Sequence, residues 1–494
     1  MVISPDRYDL STILHTAGRL IIGLGMAMLL PLCTAVVCRE INPMFDYLIS
    51  FLFTITVGIF LTIIFPARKE TNWIHAFFTV SFGWLVYMFF SAIPLYFSGH
   101  FHSFLDACFE AMSGLATTGL SLAVDLDHMS YAHNIWRHFL MFIGGQGIVV
   151  ASLAVLTKAG GASFGFYVGE GRSEKIFPNV IETTRFIWKV SLIYLIVGAL
   201  VMAAILNQQG MHFVTALYHG FCLFCAGFDT GGFGIHSQNV WYYHSVMLEI
   251  AILVIMLLGA FNFNLHYWVW MKKKSELWKN FEMQTFLVTI FSLTALTYFG
   301  FKGLGQLTIF RKGFFQVISA HTGTGFTNVS ISEMAIFHPL VLLGLIFAMM
   351  LGGAACSTTG GIKLIRVGLV FKGMWMEIKH WVMPSKAVYS EKIHHLQDVL
   401  VDKQRLIDAY MFSLMYILVY VAGGVVGIFC GYDPLASLFE SVSAAANVGL
   451  SVGITAVTMP VVLKVTYILQ MWAGRLEFLS IFVALGFVLT MFKK

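Results

Sequence analysis

The sequence predicts an all-α polytopic membrane protein in which two amino-terminal spans precede four pseudo-repeated units, each a span, a half-helix, a glycine-centred loop and a second span. Three observations predict it. Of 494 residues, 58% are hydrophobic and only 11% are charged, whereas soluble domains carry about 25% charged residues. Apolar runs long enough to cross about 30 Å of hydrocarbon recur ten times. A short glycine-centred motif recurs between pairs of those runs. This composition excludes a water-soluble enzyme, and the net charge of +5 is no nucleic-acid signal, because the basic residues fall where membrane topology places them.

In chain order the spans are expected at 18–37, 48–65, 76–97, 138–156, 186–206, 246–269, 285–299, 339–372, 409–429 and 461–491. The first run has no small-x-small cleavage pattern and reads as a retained span. Four further apolar stretches, 104–120, 212–227, 314–326 and 435–450, are too short to cross, and each ends in a polar turn. They read as re-entrant half-helices, which a bilayer tolerates only where the irregular backbone is buried or lines a cavity. The units expected are 1–70 (the leading pair), 71–160, 161–272, 273–380 with a broken second helix, and 381–494. With the amino terminus inside, 21 Lys and Arg fall on the inner side and six outside. That bias makes the amino terminus cytoplasmic and has all four half-helices enter from the outer face.

The repeat carries the functional reading. A shift of 330 lays Phe109-Glu110-x-x-Ser113-x5-Gly119-Leu120-Ser121 on Phe439-Glu440-x-x-Ser443-x5-Gly449-Leu450-Ser451, and a shift of 206 gives Phe315-Gln316-x-x-Ser319-x5-Gly325-Phe326-Thr327. In the most diverged copy the turn is expected at Gly227-Phe228-Asp229, after Cys225-Ala226. Four equivalent loops about one axis describe a pore. Stripping water from a monovalent cation calls for replacement oxygens, which rings of backbone carbonyls supply. Glycine at the turn opens backbone conformations closed to other residues, and half-helices ending there aim the negative ends of their dipoles at the ion. Glu110, Asp229, Glu333 and Glu440 are expected on the outer side, either adding to that field or anchoring the half-helices to nearby backbone. The seven cysteines show no disulfide or metal ladder, and the lone Cys222-x-x-Cys225 has no second pair. They read as small buried hydrophobes.

Taken as an ordered set, Thr117-Thr118-Gly119-Leu120, Ala226-Gly227-Phe228-Asp229, Thr324-Gly325-Phe326 and Asn447-Val448-Gly449-Leu450-Ser451 resemble the four filter loops of the Trk/Ktr/HKT superfamily of potassium transporters. The resemblance covers residues 75–494, and the two leading spans resemble the extra pair of its TrkH-type branch. It implies potassium as the substrate, with no organic cofactor on this chain, and a filter of Thr117, Thr118, Gly119, Cys225, Ala226, Gly227, Gly323, Thr324, Gly325, Asn447, Val448 and Gly449. The carbonyls of Thr117, Thr118, Ala226, Thr324 and Val448 would face the ion. Beneath the filter, Gly352-Gly353-Ala354-Ala355-Cys356-Ser357-Thr358-Thr359-Gly360-Gly361 is apolar enough to stay in the membrane but too rich in glycine and hydroxyl residues to hold a helix. It resembles the superfamily's intramembrane gating loop, and it lacks the ending of a phosphate-binding loop.

Arg475, in the middle of the last span, is the exception among apolar neighbours. A charge there costs about 2.5–3.5 kcal/mol on insertion scales and so faces a pore, a cavity or a partner. It lies 26 residues after Gly449, as Gly145 lies 26 after Gly119, which sets both at one depth. By resemblance it is a plug that forms the narrow point together with the loop. Pairing with Glu477 is the alternative, although residues two apart point to different helix faces. A glycine in every loop implies potassium over sodium by resemblance, while the extra Gly323 implies imperfect selectivity. Proton- or sodium-coupled symport on the same fold is the alternative function; its titratable candidates, His219, Glu249, His266 and His321, are scattered. The resemblance also implies a homodimer in the bacterial cytoplasmic membrane, seated on cytosolic nucleotide-binding RCK-type subunits. For these the inner loop from Phe371 to Asp408 offers a docking surface.

Overall fold

The computed structural model describes residues 7–147, 163–170, 176–177, 179–271, 273–300, 309–384 and 390–491. Among the described residues the regular structure is helical apart from one short two-stranded hairpin. Among the described residues, six segments are long and apolar enough to cross a membrane: Tyr8–Cys38, Ile41–Ile64, Trp73–Phe97, Val180–Gln208, Phe281–Gly300 and Lys403–Phe429. The first begins well before its apolar run, because Asp9, whose charge would otherwise stop it, is paired with Lys69 at 2.7 Å and lies 3.1 Å from His75. The leading pair packs through small residues: a Cβ on Gly18 would come 2.8 Å from the carbonyl of Gly58, so the two backbones approach closely.

The half-helices are Phe104–Leu115, Phe213–Phe228, Phe315–His321 and Pro434–Ala445. Capping sets the starts of the first and fourth: the Ser103 side chain accepts from the Asp106 N–H, and Asp433, ahead of Pro434, accepts from Leu435 and Ala436 N–H. Each is buried toward its carboxyl end, with Phe109, Phe224, Phe315 and Phe439 in the apolar core, while the first turns of the second are exposed at Phe213 and Val214.

The second spans depart from expectation. One broken helix is predicted, and three are found among the described residues. Pro339–Met350 and Leu364–Val382 flank the expected break. In addition, Val246–Ala260 and Phe263–Trp270 meet at 104°, and Val461–Arg475 and the helix beginning at Leu479 meet at 107°. Hydropathy runs unbroken through both bends. In the first, the Asn262 side chain caps the next helix by accepting from the Asn264 N–H. In the second, Glu477 and Phe478 adopt left-handed backbone, φ 48° and 64°. The first unit's second span is seen as Tyr131–Gln146, and the remainder of the predicted 138–156 run lies outside the described residues. The segment 371–408, expected as an inner loop, is largely structured: helix continues to Val382, and Lys392–His395 pairs antiparallel with Gln397–Leu400 before the next helix starts at Lys403.

Candidate functional site

Each half-helix ends in a loop with the same backbone signature, two left-handed residues separated by one. The pairs are Thr117 and Gly119 (φ 54° and 92°), Thr230 and Gly232 (52° and 70°), Gly323 and Gly325 (67° and 78°), and Asn447 and Gly449 (56° and 94°). The second pair corrects the sequence reading. Gly227 lies inside the second half-helix, where an added Cβ would meet only Ile255 and Phe326 side chains at 3.2 and 3.3 Å. Cys225 and Ala226 are helical as well. The Ala226 carbonyl accepts from the N–H groups of Gly231 and Gly232 at 2.8 and 3.0 Å, the role that Ser113 O plays for Thr118 N (2.7 Å) and Ser443 O for Val448 N (2.9 Å). It therefore closes the turn and is not among the axis-facing oxygens. The physical reason is length, since the second half-helix has 16 residues and the first 12, so its turn arrives later. Thr230-Gly231-Gly232-Phe233, which matches Thr117-Thr118-Gly119-Leu120 in kind, was the signal that could have located it.

The four loops touch in cyclic order. A Cβ on Gly119 would overlap the carbonyl oxygen of Gly231, one on Gly232 that of Thr324, one on Gly325 that of Val448, and one on Gly449 that of Thr118. Only glycine fits such contacts at positive φ. The outer face of the loops lines a cavity of about 120 Å³ reached by Gly119, Ser121, Phe233, Gly325, Gly449 and Ser451.

The carboxylates take different roles from one another. Glu110 accepts from Ser121 Oγ and Leu122 N–H, both at 2.9 Å, and Glu440 accepts from Val452 N–H (2.9 Å), Ile454 N–H (3.2 Å) and Thr455 Oγ1 (2.7 Å). Both are buried anchors. Glu333 pairs with Lys312 at 2.6 Å. Asp229 sits at the inner end of its half-helix, not on the outer side, and accepts from Gln146 Nε2 at 2.6 Å.

Beneath the loops lies the segment Leu351–Lys363. Thr358 Oγ1 donates toward Phe228 O and Gly259 O, both at 3.0 Å, and is 3.2 Å from Thr230 Oγ1. Gly353 N–H donates to Thr359 Oγ1 at 2.9 Å, Ser357 lies 2.8 Å from the same hydroxyl, and Gly352 N–H reaches Ile362 O at 2.9 Å. Gly360 packs on the carbonyl of Ala446, with Gly361 left-handed at φ 67°. Glu282, which sequence reasoning missed, accepts from the Ala355 N–H at 2.6 Å and from Asn262 Nδ2 at 3.2 Å. It thereby ties the segment to the neighbouring bend.

Arg475 crosses the same level. Nη1 donates to Thr358 O at 2.6 Å and lies 3.3 Å from Thr117 Oγ1; Nη2 donates to Gly144 O at 2.6 Å and lies 3.3 Å from Gly145 O. The shared depth with Gly145 is as the spacing predicts. Glu477 turns away, 2.6 Å from Arg366 and 4.0 Å from Lys363.

Loops of this kind, stacked above a glycine-rich segment and a half-buried arginine in a bundle of apolar helices, mark a polytopic membrane protein. The chain belongs to the TrkH family of cation transport proteins, which matches residues 44–489. It is 31% identical over 96% of its length, and 95% of the relative's, to an uncharacterized cation transporter of Methanocaldococcus jannaschii. It is 30% identical to the Trk system potassium uptake protein TrkH of Escherichia coli K12, covering 95% of this chain and 97% of that one. The crystal structure of the potassium transporter TrkH from Vibrio parahaemolyticus is similar at a TM-score of 0.80 and 26% identity, covering 96% of this chain and 98% of that chain.

Proposed function

We propose that the protein takes up potassium through a gated, channel-like pore. Its filter is formed by Thr117–Gly119, Thr230–Gly232, Gly323–Gly325 and Asn447–Gly449, and its gate by Gly352–Gly361 with Arg475. The observation that carries this reading is the cyclic set of glycine-to-carbonyl contacts, with the same pair of left-handed residues in every loop. Such a ring presents backbone oxygens to one axis, where they substitute for the hydration shell of a monovalent cation, and four half-helix carboxyl ends reinforce the negative potential there. The names of the E. coli and V. parahaemolyticus relatives support potassium as the ion. Arg475 beneath the ring supplies fixed positive charge against a passing cation, and its bonds to Thr358 and Gly144 hold the segment across the path.

In this reading the chain lies in the cytoplasmic membrane with its amino terminus inside, works as a homodimer and rests on cytosolic RCK-type subunits. The relatives' membership of a Trk system supports a multi-component assembly. Rescue of a potassium-uptake-deficient host at limiting potassium, with and without excess sodium, tests the function. Flux in vesicles that follows the potassium gradient regardless of proton or sodium gradients tests the channel reading, and flux driven by either gradient overturns it.

A further inference from the structure

The four loops are not held in place in the same way. Nine residues before the loop glycine stand Glu110, Gln316 and Glu440 in the first, third and fourth units, and Leu223 in the second. The two glutamates brace their own loops as described, and Gln316 Nε2 donates to Thr327 Oγ1 at 3.1 Å and Asn328 Oδ1 at 3.0 Å. Six residues before the glycine stand Ser113, Ser319 and Ser443, against Ala226 in the second unit. Ser113 and Ser443 hydroxyls accept from Gly119 and Gly449 N–H at 3.0 Å, and Ser319 donates to Phe326 O at 2.6 Å. The second loop has neither side chain.

Its own unit reaches it only from beyond the loop, where Asn239 Nδ2 donates to Gly232 O at 3.0 Å, and further support comes from the neighbouring unit. Arg137, on Tyr131–Gln146, donates from Nη1 to Gly234 O at 3.2 Å, and its guanidinium carbon lies 4.2 Å from the centroid of the Phe233 ring. His138 Nε2 is 3.1 Å from Phe233 O. The same guanidinium donates from Nε to Glu110 at 2.7 Å and from Nη2 to Ser121 Oγ at 3.3 Å. Arg137 and Glu110 are both 0% exposed. A buried ion pair is weak evidence for stability, so the division of its donors between two loops is the informative feature. We infer that Arg137 is a selectivity-determining positioning residue, which registers the second loop against the first in place of the brace that Leu223 and Ala226 cannot provide. Lysine does not substitute, because a single ammonium has neither the planar fork nor the stacking face.

This inference rests on the filter reading above. Its test uses the full chain in vesicles, with rubidium uptake measured against competing potassium and competing sodium, so that the ratio is internal to each preparation and independent of the amount folded. Arg137→Lys removes the fork, and Phe233→Leu removes the ring while leaving the Arg137–Glu110 pair whole. Each is expected to lower potassium-over-sodium discrimination roughly five-fold, the equivalent of one hydrogen-bond-sized contact. Should Arg137→Lys not assemble, Phe233→Leu decides alone. Discrimination that matches the parent in the assembled variants overturns the inference and leaves the filter standing, whereas a parent protein that does not discriminate overturns the filter reading itself.

Discussion

Replacing Arg475 by alanine removes two short charge-assisted hydrogen bonds, to Thr358 O and Gly144 O, each 2.6 Å. Bonds of this type contribute about 1.5–3 kcal/mol each, so the closed arrangement loses about 3–6 kcal/mol before water recovers part of it. Even the lower figure shifts a closed-to-open ratio by on the order of 100-fold. Basal rubidium influx into vesicles, without any cytosolic partner, should rise by that order until open-state conduction limits it. Arg475→Lys separates charge from strapping. If fixed charge alone blocks the path, the lysine variant stays as tight as the parent; if the two carbonyl bonds matter, its flux lies between parent and alanine. Flux per folded molecule unaltered in Arg475→Ala would refute the gating role and leave a structural one.

Gly232→Ser should abolish discrimination or assembly, because its Cβ meets the Thr324 carbonyl at φ 70°. Gly227→Ser should leave ion preference near the parent's, because its Cβ meets side chains of Ile255 and Phe326 and not a loop carbonyl, and competition assays on both variants compare the two. Glu282→Ala leaves the buried Ala355 N–H without the carboxylate that accepts from it, at about 1–3 kcal/mol; basal flux should rise with ion preference unchanged, and Glu282→Gln, which keeps one carbonyl acceptor, should show less. His394 titrates above the usual imidazole range because it bonds to Asp398 and Glu276. A raised value means that its contribution to hairpin docking is fully present below the ordinary imidazole pKa and is lost as pH rises through the raised one. Amide exchange across residues 392–400, corrected for intrinsic rate, should therefore increase toward alkaline pH in the parent and be pH-independent in His394→Gln.

The half-helices were legible because each interrupts an apolar stretch with a polar turn, and Arg475 because a charge amid apolar residues has few places to go. The second loop was misread by five residues: a Gly-Phe pair inside the helix imitates the turn, and the Thr230-Gly231-Gly232-Phe233 pattern that matches the first loop lies just beyond it. The bends at Asn262 and Glu477 escaped because hydropathy does not register a cap within an apolar run. Arg137 and Lys464 count as outer-face charges in a topology argument, yet both are buried, against Glu110 and Asp106. Charge counting has no access to burial.

The cyclic contacts also bear on how the molecule comes into being. Gly449 closes the ring on Thr118, and Lys464 bonds Asp106 across 358 residues. At roughly 5–20 residues per second of synthesis, the first loop waits on the order of half a minute for its last neighbour. Until then no complete ring exists, so a nascent or truncated chain holds an unfinished set of loops, and the contacts that join all four form only when the last unit has been made.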